Sequence, residues 1–173
     1  MHTRSKVWLI TGSSRGLGRA FAQAALDAGH RVVATARNPL QLSDLVSNYG
    51  DRVRALALDV TSEAQARHAI DTAIETFGGL DVLVNNAGYG NVCPVEDTSL
   101  ADVRAQIETN LFGVIIVTKA ALPFFRERRA GHIIQVTSIA GRIGPIGERR
   151  TQRQSSALRA SRNHCTKRSD LSA

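Results

Sequence analysis

The sequence predicts an α/β fold built on a doubly wound parallel sheet, and three observations carry this prediction. Short apolar runs alternate with amphipathic helical segments four times along the chain. The runs carry Val, Ile and Leu at successive positions, which is typical of strands buried on both faces of a parallel sheet. Glycines stand where several of the helices should end. Right-handed crossovers then place helices on both faces and give three α/β/α layers.

The element order follows from these patterns. Five strands are predicted at Val7–Ile10, Arg31–Thr35, Val53–Leu58, Leu80–Asn85 and His132–Ser138. Four helical segments lie between them, at Gly16–Ala28, Pro39–Asn48, Ser62–Phe77 and Ser99–Arg128. Two helix starts fit the capping-box pattern, Ser62 with Gln65 and Ser99 with Asp102. Gly29 and the pair Gly78 and Gly79 stand at helix ends.

Length and composition indicate one soluble domain. The chain has 173 residues, of which 43% are hydrophobic. It has neither the run of about 18 apolar residues that a membrane span needs nor a leader with an adequate apolar core. Cys93 and Cys165 lack metal-ligand spacing and are too few for a disulfide framework. We expect a cytoplasmic protein with no metal site and no membrane attachment.

Most of the basic charge lies at the end of the chain. From Glu148 onward the sequence has seven Lys or Arg residues and two acidic residues, a net charge of +5. The first 147 residues therefore carry a net charge of only +2. This tail has no aromatic residue, Val or Ile, so it cannot bury enough surface to offset its ordering entropy. We predict two regions, a nucleotide-binding domain at 1–147 and a disordered basic tail at 148–173. A solvated tail is favoured over a nucleic-acid-binding one.

The first strand–helix junction carries a glycine pattern, Thr11-Gly12-Ser13-Ser14-Arg15-Gly16-Leu17-Gly18. Glycines permit a tight turn and a close approach of the backbone to a pyrophosphate, which the helix N-terminus attracts. The alternative is a turn that needs glycine for geometry alone. Asn85-Asn86-Ala87-Gly88 follows the fourth strand, and Val136-Thr137-Ser138 closes the fifth.

With these three motifs in this order, the segment from Val7 to Gly147 resembles the short-chain dehydrogenase/reductase family. The resemblance implies a Rossmann-like fold, a bound NAD or NADP, and hydride transfer to or from a carbonyl or alcohol carbon of a small molecule. Full-length members of the family form homo-oligomers. The cofactor residues implied here are Gly12, Ser14, Arg15, Gly16, Leu17, Gly18, Arg37, Asp59, Val60, Asn86, Ala87 and Gly88.

Arg15 and Arg37 favour NADP over NAD. No acid stands at the end of the second strand, where an NAD site usually has one for the ribose 2′-hydroxyl. In the family, basic residues at these two places accompany NADP; the alternative is two solvated arginines. Asp59 and Val60 would lie beside the adenine, although Asp59 could also help to start the next helix. Asn86, Ala87 and Gly88 would pass close to the nicotinamide ribose or stabilise the sheet.

Two residues match the family's catalytic positions. Asn110 would hold a water molecule in a proton relay, and Ser138 would hydrogen-bond the substrate oxygen. The alternatives are a surface Asn and a plain Ser at a strand end. Both roles are implied by the resemblance. The position of Ser138 agrees with its role, because ligands of open α/β sheets bind at the carboxyl ends of the strands.

The family's tyrosine and lysine are missing. The tyrosine should lie about thirteen residues past Ser138, near Thr151, with a lysine four residues later, but Tyr49 and Tyr89 are the only tyrosines. Codons read one base out of phase from the end of codon 147 permit Arg-Ala-Ala-Tyr-Ser-Ala-Ala-Lys, with both residues at the family spacing. We therefore hypothesise that one base is missing near codon 147, in nature or in the sequencing.

Two consequences follow for the chain as written. Without its tyrosine and its C-terminal strands, it should be poorly stable, aggregation-prone and without useful turnover. The alternatives are a non-enzymatic protein that senses NADP or recruits a partner, and nucleic-acid binding by the tail. We expect no nucleic-acid partner, and the sequence does not identify the substrate.

Overall fold

The computed structural model describes residues 4–91 and 93–138, and these contain a five-stranded parallel sheet. The strands are β1 Val7–Ile10, β2 Arg31–Ala36, β3 Val53–Ala57, β4 Val82–Asn85 and β5 His132–Gln135. Their order across the sheet is β3-β2-β1-β4-β5. The predicted fold class is confirmed. The predicted tail at 148–173 lies outside the described residues.

Within residues 4–91 and 93–138, five α-helices connect the strands, namely α1 Gly16–Asp27, α2 Ser43–Tyr49, α3 Glu63–Phe77, α4 Leu100–Ile107 and α5 Gly113–Arg128. A 3-10 turn, Pro39–Leu42, precedes α2, and a π turn, Glu108–Phe112, separates α4 from α5. The predicted cap residues are confirmed: the Ser62 hydroxyl accepts a hydrogen bond from the Gln65 N–H at 3.3 Å, and Ser99 accepts one from Asp102 at 3.0 Å. The Gln65 side chain accepts a hydrogen bond from the Asp59 N–H, and not from the Ser62 N–H as a complete capping box requires.

Successive side chains along the strands point to opposite faces of the sheet and contribute to two separate apolar clusters. Val7 and Leu9 point towards α3 and α5, where Phe77 and Val117 join them. Trp8 and Ile10 point to the other face, among α1 and α2. Because side chains alternate across a strand, both faces of β1 are apolar and both are covered. The layered arrangement therefore follows directly from the uninterrupted apolar runs in the sequence.

β5 is the outermost strand on its side of the described sheet. It pairs in parallel with β4 alone, with Val82 opposite His132 and Asn85 opposite Gln135. Ile134 is 41% exposed. The strand was predicted to reach Ser138 but ends at Gln135. It ends there because its partner β4 ends at Asn85, whose carbonyl accepts the last hydrogen bond between the two strands, from the Val136 N–H.

The described residues form two compact units. The first comprises 4–88 and 112–136 and holds the sheet; the second comprises 89–111 and 137–138, without residue 92. One continuous helical run, Leu100–Arg128, contains an 18-residue window with a mean hydropathy of 1.4, so it is long and apolar enough to cross a membrane by length and composition. The sequence did not suggest this because polar residues such as Thr118 and Lys119 interrupt the apolar run.

Length and hydropathy do not distinguish a membrane span from the core helix of a soluble protein. Three residues of the run, Val117, Ala121 and Phe125, are buried in the apolar cluster beside the sheet. Their spacing of four residues places them on one face of α5. Packing on the sheet therefore accounts for this part of the apolar pattern, and the absence of membrane attachment stays a prediction.

Candidate functional site

The loop between β1 and α1 is held to the sheet by its own polar groups. Ser13 is fully buried; its hydroxyl donates to the Ile10 carbonyl at 2.9 Å, and its N–H donates to the Thr35 carbonyl at 2.7 Å. The Thr35 hydroxyl donates to the same Ile10 carbonyl. Gly12 and Gly16 have φ values of +69° and +59°, a region that favours glycine. The loop is therefore fixed before any ligand binds.

Thr11 and Asn86 join the glycine loop to the segment after β4. The Thr11 hydroxyl oxygen accepts hydrogen bonds from the N–H groups of Asn86 and Ala87, both at 2.9 Å. The Asn86 side-chain amide donates to the Thr11 carbonyl at 2.9 Å and to the Gly12 carbonyl at 3.1 Å. The two sequence motifs thus form one hydrogen-bonded unit, in which Asn86 has the stabilising contacts that the sequence allowed for it.

Two of the glycines are needed for close packing within this unit. A Cβ atom at Gly12 would lie 2.9 Å from the Cα atom of Ala87. A Cβ atom at Gly18 would overlap both the Asn86 side-chain nitrogen and the Gly12 carbonyl oxygen. Neither position has room for a side chain. These glycines are explained by contacts inside the protein, without reference to a ligand.

Gly16 differs from them, because a Cβ atom there would meet nothing within 4 Å. It opens α1, whose N-cap residue, Arg15, makes no side-chain capping bond and whose first turn carries no acid. The first N–H groups of a helix have no partner within the helix and carry a partial positive charge. The N-terminus of α1 therefore offers donors, positive potential and open space, an arrangement that fits a phosphate group.

Two exposed arginines, Arg15 and Arg37, lie on the compact unit that holds the sheet. Arg15 belongs to the glycine loop, and Arg37 directly follows the last residue of β2. Neither guanidinium has a hydrogen bond or an ion pair with another described residue. In the glycine loop next to Arg15, Ser14 is half-buried, and Leu17, in the first turn of α1, is 62% exposed. Free cations and donors remain available here for an anionic ligand.

The segment after β3 is organised by Asp59. Its carboxylate accepts from the N–H of Thr61 at 3.0 Å and from the Thr61 hydroxyl at 2.8 Å, and its own N–H donates to Gln65 at 2.7 Å. This is the turn that leads into α3, as the sequence allowed. Val60 is buried against α5, where a Cβ atom at Gly113 would lie 2.5 Å from its Cγ2 atom.

Asn110 lies in the π turn between α4 and α5, where the sequence indicated the interior of one long helix. Its side chain exchanges two hydrogen bonds with the backbone of Tyr89: the Tyr89 N–H donates to Oδ1 at 3.0 Å, and Nδ2 donates to the Tyr89 carbonyl at 2.6 Å. Ser138 is exposed three residues beyond β5. π turns are frequent at functional sites because they redirect side chains out of the helical pattern.

Sequence reasoning assigned no role to Thr11, Ser13 and Thr35. All three are at most 1% exposed and satisfy backbone groups at the carboxyl ends of β1 and β4. Thr and Ser at strand ends are common, so composition gave no signal for them. Among the described residues, no group of three or more His, Cys, Asp or Glu could hold a metal ion.

Comparison with known proteins identifies the class that this fold and site define. The family model for short chain dehydrogenase matches residues 6–149, and the chain belongs to that family. The match ends at residue 149, one residue past Glu148, where the composition changes. Members of the family bind a nicotinamide cofactor and act as oxidoreductases on small molecules.

Individual relatives agree with this assignment. Oxidoreductase BOA17 of Botryotinia fuckeliana is 53% identical over 144 residues, which cover 83% of this chain and 53% of that protein. A short-chain dehydrogenase structure from Streptomyces avermitilis gives a TM-score of 0.85 at 39% identity, covering 91% of this chain and 58% of that one. A structure of ElxO with NADP bound gives a TM-score of 0.83 at 30% sequence identity. The match covers 89% of this chain and 64% of the ElxO chain. The chain spans about half the length of the curated relatives it matches.

Proposed function

We propose that the sheet-bearing unit binds NADP(H), with the pyrophosphate against the N-terminus of α1. The observation that carries the proposal is the uncapped helix start, with open space at Gly16. Gly12 and Gly18 keep the loop close to Asn86 and Ala87, so the backbone of these residues and of Gly88 borders the same site. The chemistry that the cofactor supplies is hydride transfer.

A preference for NADP over NAD rests on charge. Arg15 and Arg37 carry no described partner, and β2 ends in Ala36 with no acid after it. A ribose 2′-phosphate needs cations, whereas an NAD site usually has a carboxylate there for the 2′-hydroxyl. The related ElxO structure holds NADP. Asp59 and Val60, at the end of β3, would border the adenine.

Arg37→Ala tests the preference. We expect this variant to weaken NADPH binding about tenfold, the effect of removing about 1.4 kcal/mol of charged interaction, and to leave NADH affinity unchanged. Arg67→Ala is the matched control, because Arg67 is an exposed arginine on α3, paired with Glu63. Equal losses for NADPH and NADH, or equal effects of the two variants, would refute the assignment of Arg37 to the 2′-phosphate.

The substrate we propose is a small carbonyl or alcohol compound. The Ser138 hydroxyl would donate a hydrogen bond to the substrate oxygen, and Asn110 would hold a water molecule of the proton relay. The bonds between Asn110 and the backbone of Tyr89 fix the start of the segment that follows Gly88. Supporting these roles are the family membership and the exposure of Ser138 just beyond a strand end.

We propose further that the chain as written binds nucleotide without useful turnover. No tyrosine follows Tyr89, so the sequence offers no phenol near position 151 as general acid. Loss of a general acid typically costs ~10²–10⁴ in rate. We expect the purified chain to bind NADPH and to reduce no member of a panel of aldehydes and ketones; clear NADPH-dependent reduction would refute the proposal.

The shifted reading frame is a separate hypothesis, which concerns why the tyrosine and the lysine are missing. Sequencing the gene across codon 147 distinguishes a missing base from a natural tail. Bases that can encode a tyrosine at position 151 and a lysine at position 155 in the shifted frame would support the hypothesis. Bases that cannot do so would refute it and would favour a non-enzymatic nucleotide-binding protein.

A further inference from the structure

Three polar side chains meet on the α5 side of the sheet, at the end of the β4–β5 pair. Asn85 and Gln135 are partners in the parallel register, so their amides lie side by side on one face. Both donate to the hydroxyl oxygen of Thr118 on α5, Asn85 Nδ2 at 2.9 Å and Gln135 Nε2 at 3.4 Å. Asn85 is 3% exposed. These residues form a polar cluster in an otherwise apolar layer.

The cluster is incompletely satisfied within the described part of the chain. Asn85 Oδ1 and Gln135 Oε1 are inaccessible to solvent and have no hydrogen-bond partner there. The Thr118 hydroxyl accepts two bonds and has no acceptor for its own proton among the described residues. Turning the Asn85 amide over would satisfy that proton but would leave the Asn85 nitrogen unpaired. Buried polar groups without partners cost about 1–3 kcal/mol each, so the cluster needs another molecule.

We propose that Asn85, Thr118 and Gln135 bind one buried water molecule. A water molecule supplies what the cluster lacks: two O–H donors for the two amide oxygens and an acceptor for the Thr118 proton. Buried waters typically make about three hydrogen bonds to such groups. The bound water ties β5, the outermost described strand, to both β4 and α5. It is a structural site, distinct from the helix N-terminus proposed for the pyrophosphate.

The test uses NMR of the 173-residue chain in water. We expect cross-relaxation between a long-lived water molecule and the side-chain amide protons of Asn85 and Gln135. Thr118→Ser should retain these signals, since it keeps the hydroxyl. Thr118→Val should lose them and raise the unfolding equilibrium constant at least about tenfold, because the water and both amides lose a partner.

Thr72→Val is the matched control, because the Thr72 hydroxyl bonds only the His68 carbonyl of its own helix. It should leave the water signals in place and change the unfolding constant less than Thr118→Val does. If neither amide of the unsubstituted chain shows a long-lived water, the proposal is wrong. Equal effects of the two valine variants would also overturn it. Should Thr118→Val fail to fold, the spectra of the unsubstituted chain and of Thr118→Ser decide the question.

Discussion

Replacement of Gly18 by alanine should destabilise the protein far more than the same change at Gly16. A Cβ atom at Gly18 would overlap the Asn86 amide nitrogen and the Gly12 carbonyl oxygen, and would lie 3.0 Å from the Gly12 carbonyl carbon. Two of these three atoms belong to the backbone of a loop that is itself bonded to Asn86. The clash therefore cannot be relieved by rotating one flexible side chain.

The magnitude follows from three effects. Overpacking costs about 1–3 kcal/mol, and displacing Asn86 removes its two bonds to Thr11 and Gly12, about 1 kcal/mol each. Alanine in a helix gains about 1 kcal/mol over glycine. We expect Gly18→Ala to lower the free energy of unfolding by about 3 kcal/mol, roughly 150-fold in the equilibrium constant.

Denaturant unfolding followed by circular dichroism measures this change, with Gly16→Ala as the control. At Gly16 a Cβ meets no atom within 4 Å, so only the strain of φ +59° remains, about 1 kcal/mol. The proposed phosphate site also predicts that the loss in NADPH binding free energy caused by Gly16→Ala is larger than the loss in the free energy of unfolding. A Gly18→Ala variant as stable as the unsubstituted chain would refute the packing argument.

Three further predictions concern the rest of the fold. Gly113→Ala should lower the free energy of unfolding by about 2 kcal/mol, because its Cβ would lie 2.5 Å from Val60; thermal unfolding checks this, and recovery is expected when Val60 is also shortened to Ala. Arg129→Gly should stabilise the chain by about 0.5–1 kcal/mol, since Arg129 ends α5 with φ +50°; an unchanged midpoint in urea would contradict this. The hydrogen bond from Arg19 holds the pKa of Asp44 below its ordinary value of 3.8, so this contribution is full above that value and disappears as pH falls through the lowered pKa. The stability difference between the chain and Arg19→Gln should therefore shrink below pH 3.8, and a difference independent of pH would refute the pairing.

Much of the fold could be predicted from the sequence because apolar burial decides it. β1 begins and ends where its apolar run does, at Val7 and Ile10. The start of β4 was less predictable: Leu80 is fully buried, but the strand begins at Val82. The apolar pattern records burial, whereas strand bounds depend on which neighbouring chain is present to pair.

The candidate site was predictable in its motifs but not in its contacts. Glycines in the first loop indicated a tight turn, yet the sequence could not show that Gly18 is needed for Asn86 and that Gly16 is open. Asn110, within the π turn, forms hydrogen bonds to Tyr89, twenty-one residues away. Such features arise from tertiary contacts, which local propensity does not contain.

We propose that this member of the short-chain dehydrogenase family keeps an NADP site without the family's catalytic tyrosine and lysine. Calorimetric titration of the purified chain with NADPH and, separately, with NADH tests the binding half of this claim most directly. We expect saturable binding of one NADPH per chain and an affinity for NADH at least about tenfold lower, because the 2′-phosphate contributes about 1.4 kcal/mol. Equal affinities for the two nucleotides, or no saturable binding of either by a folded sample, would contradict it.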